Sequence, residues 1–362
     1  MKISELMRYV LGISAAIVLT ACGGGSQPSL LSGPIQESPA ESELSMPALG
    51  HHPNLSVGAF VNAVQPHRRQ SWMLPEAKKD TLLYISDYGS GNIYVYAHPF
   101  SPKSVTLVGT IKESGEPAGE CVDKAGNVWV ANLASGEGRI TEYAHGGTRP
   151  IKILQDTGYR PLSCSVDPTT GNLAVTNFSA NSGGQGNVLI YAHAVGTPKS
   201  YEPPSMYFAY FSAYDDAGNL YVDGENQYGY FEFAELPNGS STFENILLSP
   251  IISIPGGVQW DGKNVAVGNQ DSLNSTIYLM RFSGSKATLK GTVILDNGED
   301  VAGFWIQKLA KGMDVVAPAQ GNTAGSRVFF YNYPAGGSPK QTLTGFKTAI
   351  GAAVSTVRTG NM

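Results

Sequence analysis

Charge is scarce in this sequence. Asp, Glu, Lys and Arg make up 15% of the 362 residues, and acidic side chains outnumber basic ones 29 to 24, a formal net charge of −5. Neutralising phosphates takes a basic face, so the composition argues against a nucleic-acid partner. Apolar runs are short. Tyr9 to Leu19 is a run of eleven, fewer than the roughly 20 residues a spanning helix needs. Cysteine occurs three times, as Cys22, Cys121 and Cys164. There is no Gly-x-Ser-x-Gly elbow, no His-Glu-x-x-His pair and no phosphate loop, which removes the commonest signatures of acyl transfer, zinc proteolysis and nucleotide hydrolysis.

Glycine, by contrast, is abundant at 43 residues, and it recurs in one pattern. Ala118-Gly-Glu-Cys-Val-Asp-Lys-Ala-Gly-Asn-Val-Trp-Val-Ala-Asn132 reads as a strand, a tight turn and a second strand. Similar stretches lie at 163–177, 212–224 and 257–269. Their turn asparagines, Asn127, Asn172, Asn219 and Asn264, are spaced 45, 47 and 45 residues apart. A blurred copy surrounds Lys311-Gly312, and Leu82 to Asp87 is a second strand with no first strand before it. Each copy continues into a third strand, such as Ile93–Tyr96 or Val188–Tyr191, and most into a weaker fourth. Four short strands per unit of about 40–50 residues is the period of a propeller blade. Six units predict an all-β, six-bladed β-propeller; a β-sandwich is the competing architecture. The tail Ala349 to Ser355 matches a blade's first strand, the one the first unit lacks. The C-terminal strand is therefore expected to close the first blade and leave no sheet edge open.

The signature Val-Asp-x-x-Gly-Asn-hydrophobic-x-Val-x-Asn resembles that of the NHL-repeat, streptogramin-lyase and regucalcin/gluconolactonase group of propellers, over about residues 80 to 357. The Gly-His…Trp-Asp pattern of WD repeats is absent. The resemblance implies the fold. It says little about function, because such blades carry lyases, lactonases and binding proteins. In the lactonases, polar residues where several inner strands start hold a metal. The matching stretches here are Pro117-Ala118-Gly119, Pro255-Gly256-Gly257 and Val301-Ala302-Gly303, without carboxylate or amide oxygens. No His lies on these loops, as the lyase pattern requires.

Residues 1–21 read as a lipoprotein signal. Lys2 and Arg8 precede the apolar run, which ends in Leu19-Thr20-Ala21-Cys22, similar to a lipobox whose Cys is diacylated; an ordinary signal peptide is the alternative. Lipid on Cys22 would hold the chain to a membrane on the non-cytoplasmic side of a bacterial cell envelope. Removing 1–21 takes away Lys2, Arg8 and Glu5 and leaves 22 basic against 28 acidic side chains. Residues 22–77 read as a disordered linker rich in Pro, Ser, Gly and Glu, and residues 78–358 as the propeller. Within the linker, His51 and His52 suit either a metal or solvent, and Leu55 to Val64 could pack on the propeller. An oxidising envelope would permit a bridge between Cys121 and Cys164. They fall two and three residues before the aligned Asp123 and Asp167, however, hence on opposite faces of their strands, and two buried thiols are the favoured expectation.

Candidate site residues follow from the blade pattern. The second strands end in Asp87, Asn132, Asn177, Gly224, Asn269 and Pro318, on the face where the channel mouth is expected. Asp87, Asn132, Asn177 and Asn269, together with Arg160, are the candidate ligand-binding residues. Such a ring suits a polar ligand or a hard cation such as calcium, although Asp and Asn also cap turns. No metal or other cofactor is assigned. Tyr96-Ala97-His98, Tyr143-Ala144-His145 and Tyr191-Ala192-His193 occupy equivalent places in successive blades, so their histidines should fan apart. The aromatic run from Tyr201 to Tyr214, followed by Tyr228 and Tyr230, suits either blade packing or a sugar or peptide ligand. The function expected is a binding or scaffold module for a protein, peptide or carbohydrate at the mouth, with a lactonase- or lyase-like enzyme as the alternative. Cys22→Ser is expected to release the chain from the membrane fraction or leave it unprocessed. A processed variant that still sediments with membranes would remove the lipobox reading.

Overall fold

The computed structural model describes residues 70–357 except 102–103, 114, 135–137 and 322–324. The signal stretch, Cys22, His51, His52 and Leu55 to Val64 lie outside the described residues. Six antiparallel sheets surround one axis, a six-bladed β-propeller as the period predicts. The inner strands of blades 2 to 6 are Pro117–Val122, Tyr159–Val166, Phe208–Tyr214, Pro255–Trp260 and Trp305–Lys308. Blade 1 takes its inner strand from the C-terminus. Ala349–Ser355 pairs with Leu82–Asp87 from Leu82↔Ser355 to Asp87↔Ala349. Blade 1 also has a fifth strand, Trp72–Met73, paired with Gly109 and Thr110 and drawn from the stretch whose composition reads as linker.

The repeated signature is a turn that caps itself. Asp123 Oδ1 accepts hydrogen bonds from the amides of Ala125 and Asn127, both at 2.8 Å, and Asn127 Nδ2 donates to Asp123 Oδ2. Asp215 and Asp261 make the same bonds to Ala217 and Asn219 and to Lys263 and Asn264. In blade 3 Asp167 keeps the amide bond, from Thr169 N at 2.7 Å, and takes the hydroxyls of Thr169 and Thr170 in place of the asparagine. The glycine is needed because the backbone there is left-handed, φ +83° at both Gly126 and Gly218.

Blades stack face to face, and the inner strands set how closely. A Cβ on Gly119 would lie 2.7 Å from the Leu162 carbonyl of blade 3, and one on Gly303 2.7 Å from the Ile350 carbonyl of blade 1. Gly257 meets Phe304 of blade 6, and Gly351 meets the Ala118 carbonyl of blade 2. At Gly257 the approach is close enough for its amide to donate to the Ala302 carbonyl of the next blade at 2.6 Å. Glycine thus occupies the start of three inner strands and the approach to a fourth because a neighbouring backbone or ring fills the space a side chain would take.

The two thiols expected for Cys121 and Cys164 are instead a disulfide, with Cα atoms 5.7 Å apart. The alignment placed them on opposite faces of equivalent strands, and that placement holds. In a ring, however, one face of a blade meets the opposite face of the next, so the two side chains converge across the blade 2–blade 3 interface. The bridge closes a 43-residue loop, worth about 4 kcal/mol in the chain-entropy account.

The aromatic run is largely packing. Phe208, Tyr210, Phe211 and Tyr214 are all buried, and Phe208 stacks on Phe178 at 4.8 Å. Gly351→Val is expected to lower stability by about 1–3 kcal/mol or more, since the clash is with backbone and no rotamer relieves it. Chemical denaturation read by tryptophan fluorescence checks this; an unchanged midpoint would mean that the inner strands do not touch at this point.

Candidate functional site

Antiparallel connectivity divides the loops between two faces. Hairpins from second to third strand, and connections from each outer strand to the next inner strand, share one face, here called the loop face. Hairpins joining inner to second strands, and third to outer strands, share the other, the turn face. The second strands end on the loop face, so Asp87, Asn132, Asn177 and Asn269 are arranged around it. Their side chains are turned into the protein. Asp87 is fully buried, and its carboxylate accepts from Thr348 N at 2.6 Å and Lys347 N at 3.0 Å. Asn132 Oδ1 accepts from Glu116 N at 3.0 Å, and Asn269 Oδ1 from Ser253 N at 2.8 Å. Each of these three ties down the segment that enters the inner strand of its own blade. Asn177 differs, donating from Nδ2 to Asn187 Oδ1 at 2.8 Å. In blade 4 the buried Asp223 holds Phe211 N at 2.8 Å. Among the described residues no three His, Cys, Asp or Glu side chains are grouped as a metal would need.

Arg160 lies elsewhere on this face and is brought beside other polar groups. Its Nε donates to the Leu133 carbonyl at 3.3 Å. Its charge also acts on Tyr88, which hydrogen-bonds Glu116. Burial and that carboxylate push the Tyr88 phenol up to about 12. Blades 1, 2 and 3 thus bring one phenol, one carboxylate and one guanidinium together. Behind them Leu162, Phe178, Phe208, Tyr210, Phe211 and Ile350 form an apolar floor. At the axis this floor leaves a cavity of only about 10 Å³ beside Gly119 and Gln270, at the lower limit for one water.

Beyond the constriction, inner strands of all six blades line a cavity of about 250 Å³. Glu120, Ser212 and Trp260 are among its walls, and Glu120 Oε2, Ser212 Oγ and Trp260 Nε1 have no hydrogen-bond partner among the described protein groups. Burial pushes the Glu120 carboxyl up to about 8, opposed in part by Ser86 Oγ, which donates to Oε1 at 2.8 Å. Burial also holds the Asp223 carboxyl well above the usual carboxylate range. The sequence reading passed over Glu120. A signal existed: three residues before the turn Asp, blades 2 to 5 carry Glu120, Cys164, Ser212 and Val258, so one charged group stands at an interface position.

The equivalent placement of the three histidines predicts that they fan apart, but only His193 does; His98 and His145 both adjoin Asp80, because blades 1 and 2 are neighbours in the ring. His145 Nδ1 meets Ser355 Oγ at 2.7 Å, His193 Nδ1 meets the Thr170 carbonyl at 2.8 Å, and His98 lies 3.8 Å from Asp80.

No protein-family model matches the sequence, and no curated protein matches it. Solved structures do. A chain of the nidogen/laminin complex superposes with a TM-score of 0.60 at 10% identity, over 77% of this chain and 99% of that one. A protein of unknown function from Bacteroides caccae gives 0.54 at 13% identity, over 76% and 99%. TolB from Acinetobacter baumannii gives 0.54 at 9% identity, over 78% and 68%. At these identities the likeness establishes the β-propeller fold and nothing of the ligand.

Glu120 makes stability depend on pH, and the sign is fixed. Its folded pKa of about 8 lies above the ordinary 4.5, so the fold prefers the neutral acid. Stability is then greatest below the unfolded pKa and falls as pH rises from 4.5 towards 8. Glu120→Gln is expected to flatten that fall and to exceed the wild type at pH 8 by about 1 kcal/mol or more. Urea titrations at pH 5 to 8 decide it. Parallel curves would mean that the carboxyl does not hold its proton in the folded state.

Proposed function

We propose that this chain is a binding module that takes a protein or peptide ligand on its loop face, and that it is held in a bacterial cell envelope by lipid on Cys22. One observation carries the ligand reading. Connections of blades 4 and 5 on this face expose Tyr228 at 75%, Tyr230 at 69%, Ile251 at 88% and Leu273 at 71%. Apolar side chains exposed to this degree on neighbouring loops mark an interaction surface, and tyrosine is enriched at interface centres. The turn carrying both tyrosines is fixed: Asn226 Oδ1 accepts from Tyr228 N at 3.0 Å and Tyr230 N at 3.2 Å. A backbone held in this way loses little freedom on binding. Across the face Arg160, Tyr88 and Glu116 offer a polar counterpart. In this reading Asp87, Asn132, Asn177 and Asn269 shape the binding loops.

The envelope address draws support from the Cys121–Cys164 disulfide, a bond that persists in oxidising compartments. The NHL-like subgroup draws support from the self-capped turn at Asp123, Asp215 and Asp261. The propeller in the nidogen/laminin complex lends an analogy for a protein ligand. A lactonase-like reaction is disfavoured by Ala118, Gly256 and Ala302, which stand where such enzymes need oxygen ligands.

Photo-cross-linking residues placed at 228 and 273, and at 124 on the turn face, test the reading in intact cells. Discrete protein adducts are expected from 228 and 273 only, and Tyr230→Ala should diminish those from 273. Equal adducts from both faces, or none from the loop face, would contradict it.

A further inference from the structure

We infer that the turn face carries a second binding site, for a small organic polyanion, in the cleft between blades 5 and 6. The open cleft has a volume of about 890 Å³, within the range of small-molecule sites. Lys263, Arg281, Lys290 and Lys308 line it, with Asp261 as its one carboxylate. That carboxylate is already engaged: it accepts from the amides of Lys263 and Asn264, from Asn264 Nδ2, and from the Tyr333 hydroxyl at 2.8 Å. Arg281 is held in place by Nε donating to Asn264 Oδ1 at 3.2 Å. No ion pair within 4.0 Å involves any of the four cations among the described residues. Four positive groups therefore share one concave site in a chain of net charge −5, and like charges crowded in a cleft attract a multivalent anion.

Comparison among the blades supports the same inference. Glu142 pairs with Trp129 in blade 2, and Glu235 with Tyr221 in blade 4. The equivalent residue of blade 5, paired with Ala266, is Leu279. Blade 3 likewise has an apolar residue here, Ile190 paired with Ala174. In blade 5 Leu279 lines the cleft as an apolar wall, so no acid at this position opposes the cations. Met313, Leu309 and Pro334 extend that wall. The chemistry is that of a ligand with two or more phosphate or carboxylate groups on a compact body. A concave cleft lined by two blades suits a discrete molecule better than a flat membrane surface.

Calorimetric titration of the full chain with pyrophosphate and with citrate tests the site. Binding of one equivalent of either is expected, weakening as salt rises. Lys290→Glu/Lys308→Glu should reduce affinity at least tenfold, and Lys263→Gln by a smaller factor. Lys124→Glu, a basic residue outside the cleft, should leave it unchanged. The substituted lysines are exposed, and an unchanged melting temperature will show that the variants fold. Failure of both probes to bind, or equal binding by the charge-reversed variant, would overturn the proposal. So would binding seen only with phosphatidylglycerol vesicles or a polyglutamate peptide.

Discussion

The close meeting of the inner strands at the axis is the constraint on which the rest depends. Gly119, Gly257, Gly303 and Gly351 each lie against the backbone or an aromatic ring of the next blade, and a Cβ at any of them meets an atom at 3.0 Å or less. That contact sets the blade spacing, and with it the interfaces where most of the core is buried. It also narrows the channel to a constriction floored by Leu162, Phe211 and Ile350. A ring closed this tightly leaves little room for a ligand to pass along its axis. Recognition then belongs to surfaces built on the blades: the exposed aromatic loops of blades 4 and 5, and the basic cleft between blades 5 and 6.

The buried carboxylates and amides follow from the same constraint. A strand that starts at a crowded axis has backbone amides with no sheet partner on one side. Asp87, Asn132 and Asn269 supply the missing acceptors and so hold each incoming segment against the second strand of its blade. Burying an unpaired amide is costly, of order 1–3 kcal/mol. That accounts for Asp or Asn at the end of a second strand in three blades, those of Asp87, Asn132 and Asn269, without reference to any ligand.

Much of the fold was legible because blade periodicity is local. The turn signature appears within fifteen residues, its spacing gives the blade count, and the tail matches a strand the first unit lacks. What was not legible depends on how blades face one another. Cys121 and Cys164 were correctly placed on opposite strand faces, yet the conclusion drawn was wrong, because it treated the two strands as superposed when they are neighbours in a ring. Ala118-Gly119 and Ala302-Gly303 read as sites stripped of ligands, whereas the glycines answer to a carbonyl from the next blade. Arg160 was brought beside Tyr88 and Glu116, companions more than forty residues away in sequence. The cations of the cleft come from four strands or turns in two blades, and no window along the chain contains them all.

If the inner strands meet as tightly as this, the C-terminal strand, paired with blade 1 and pressed at Gly351 against blade 2, makes the six blades one cooperative unit. Native-state hydrogen exchange resolved by residue tests it most directly. The account predicts that amides of Ala349–Ser355 exchange only with global unfolding, at the same free energy as those of Leu82–Asp87 and of the inner strands of blades 2 to 6. Exchange of Ala349–Ser355 at a markedly lower free energy, with blades 2 to 5 still protected, would contradict it.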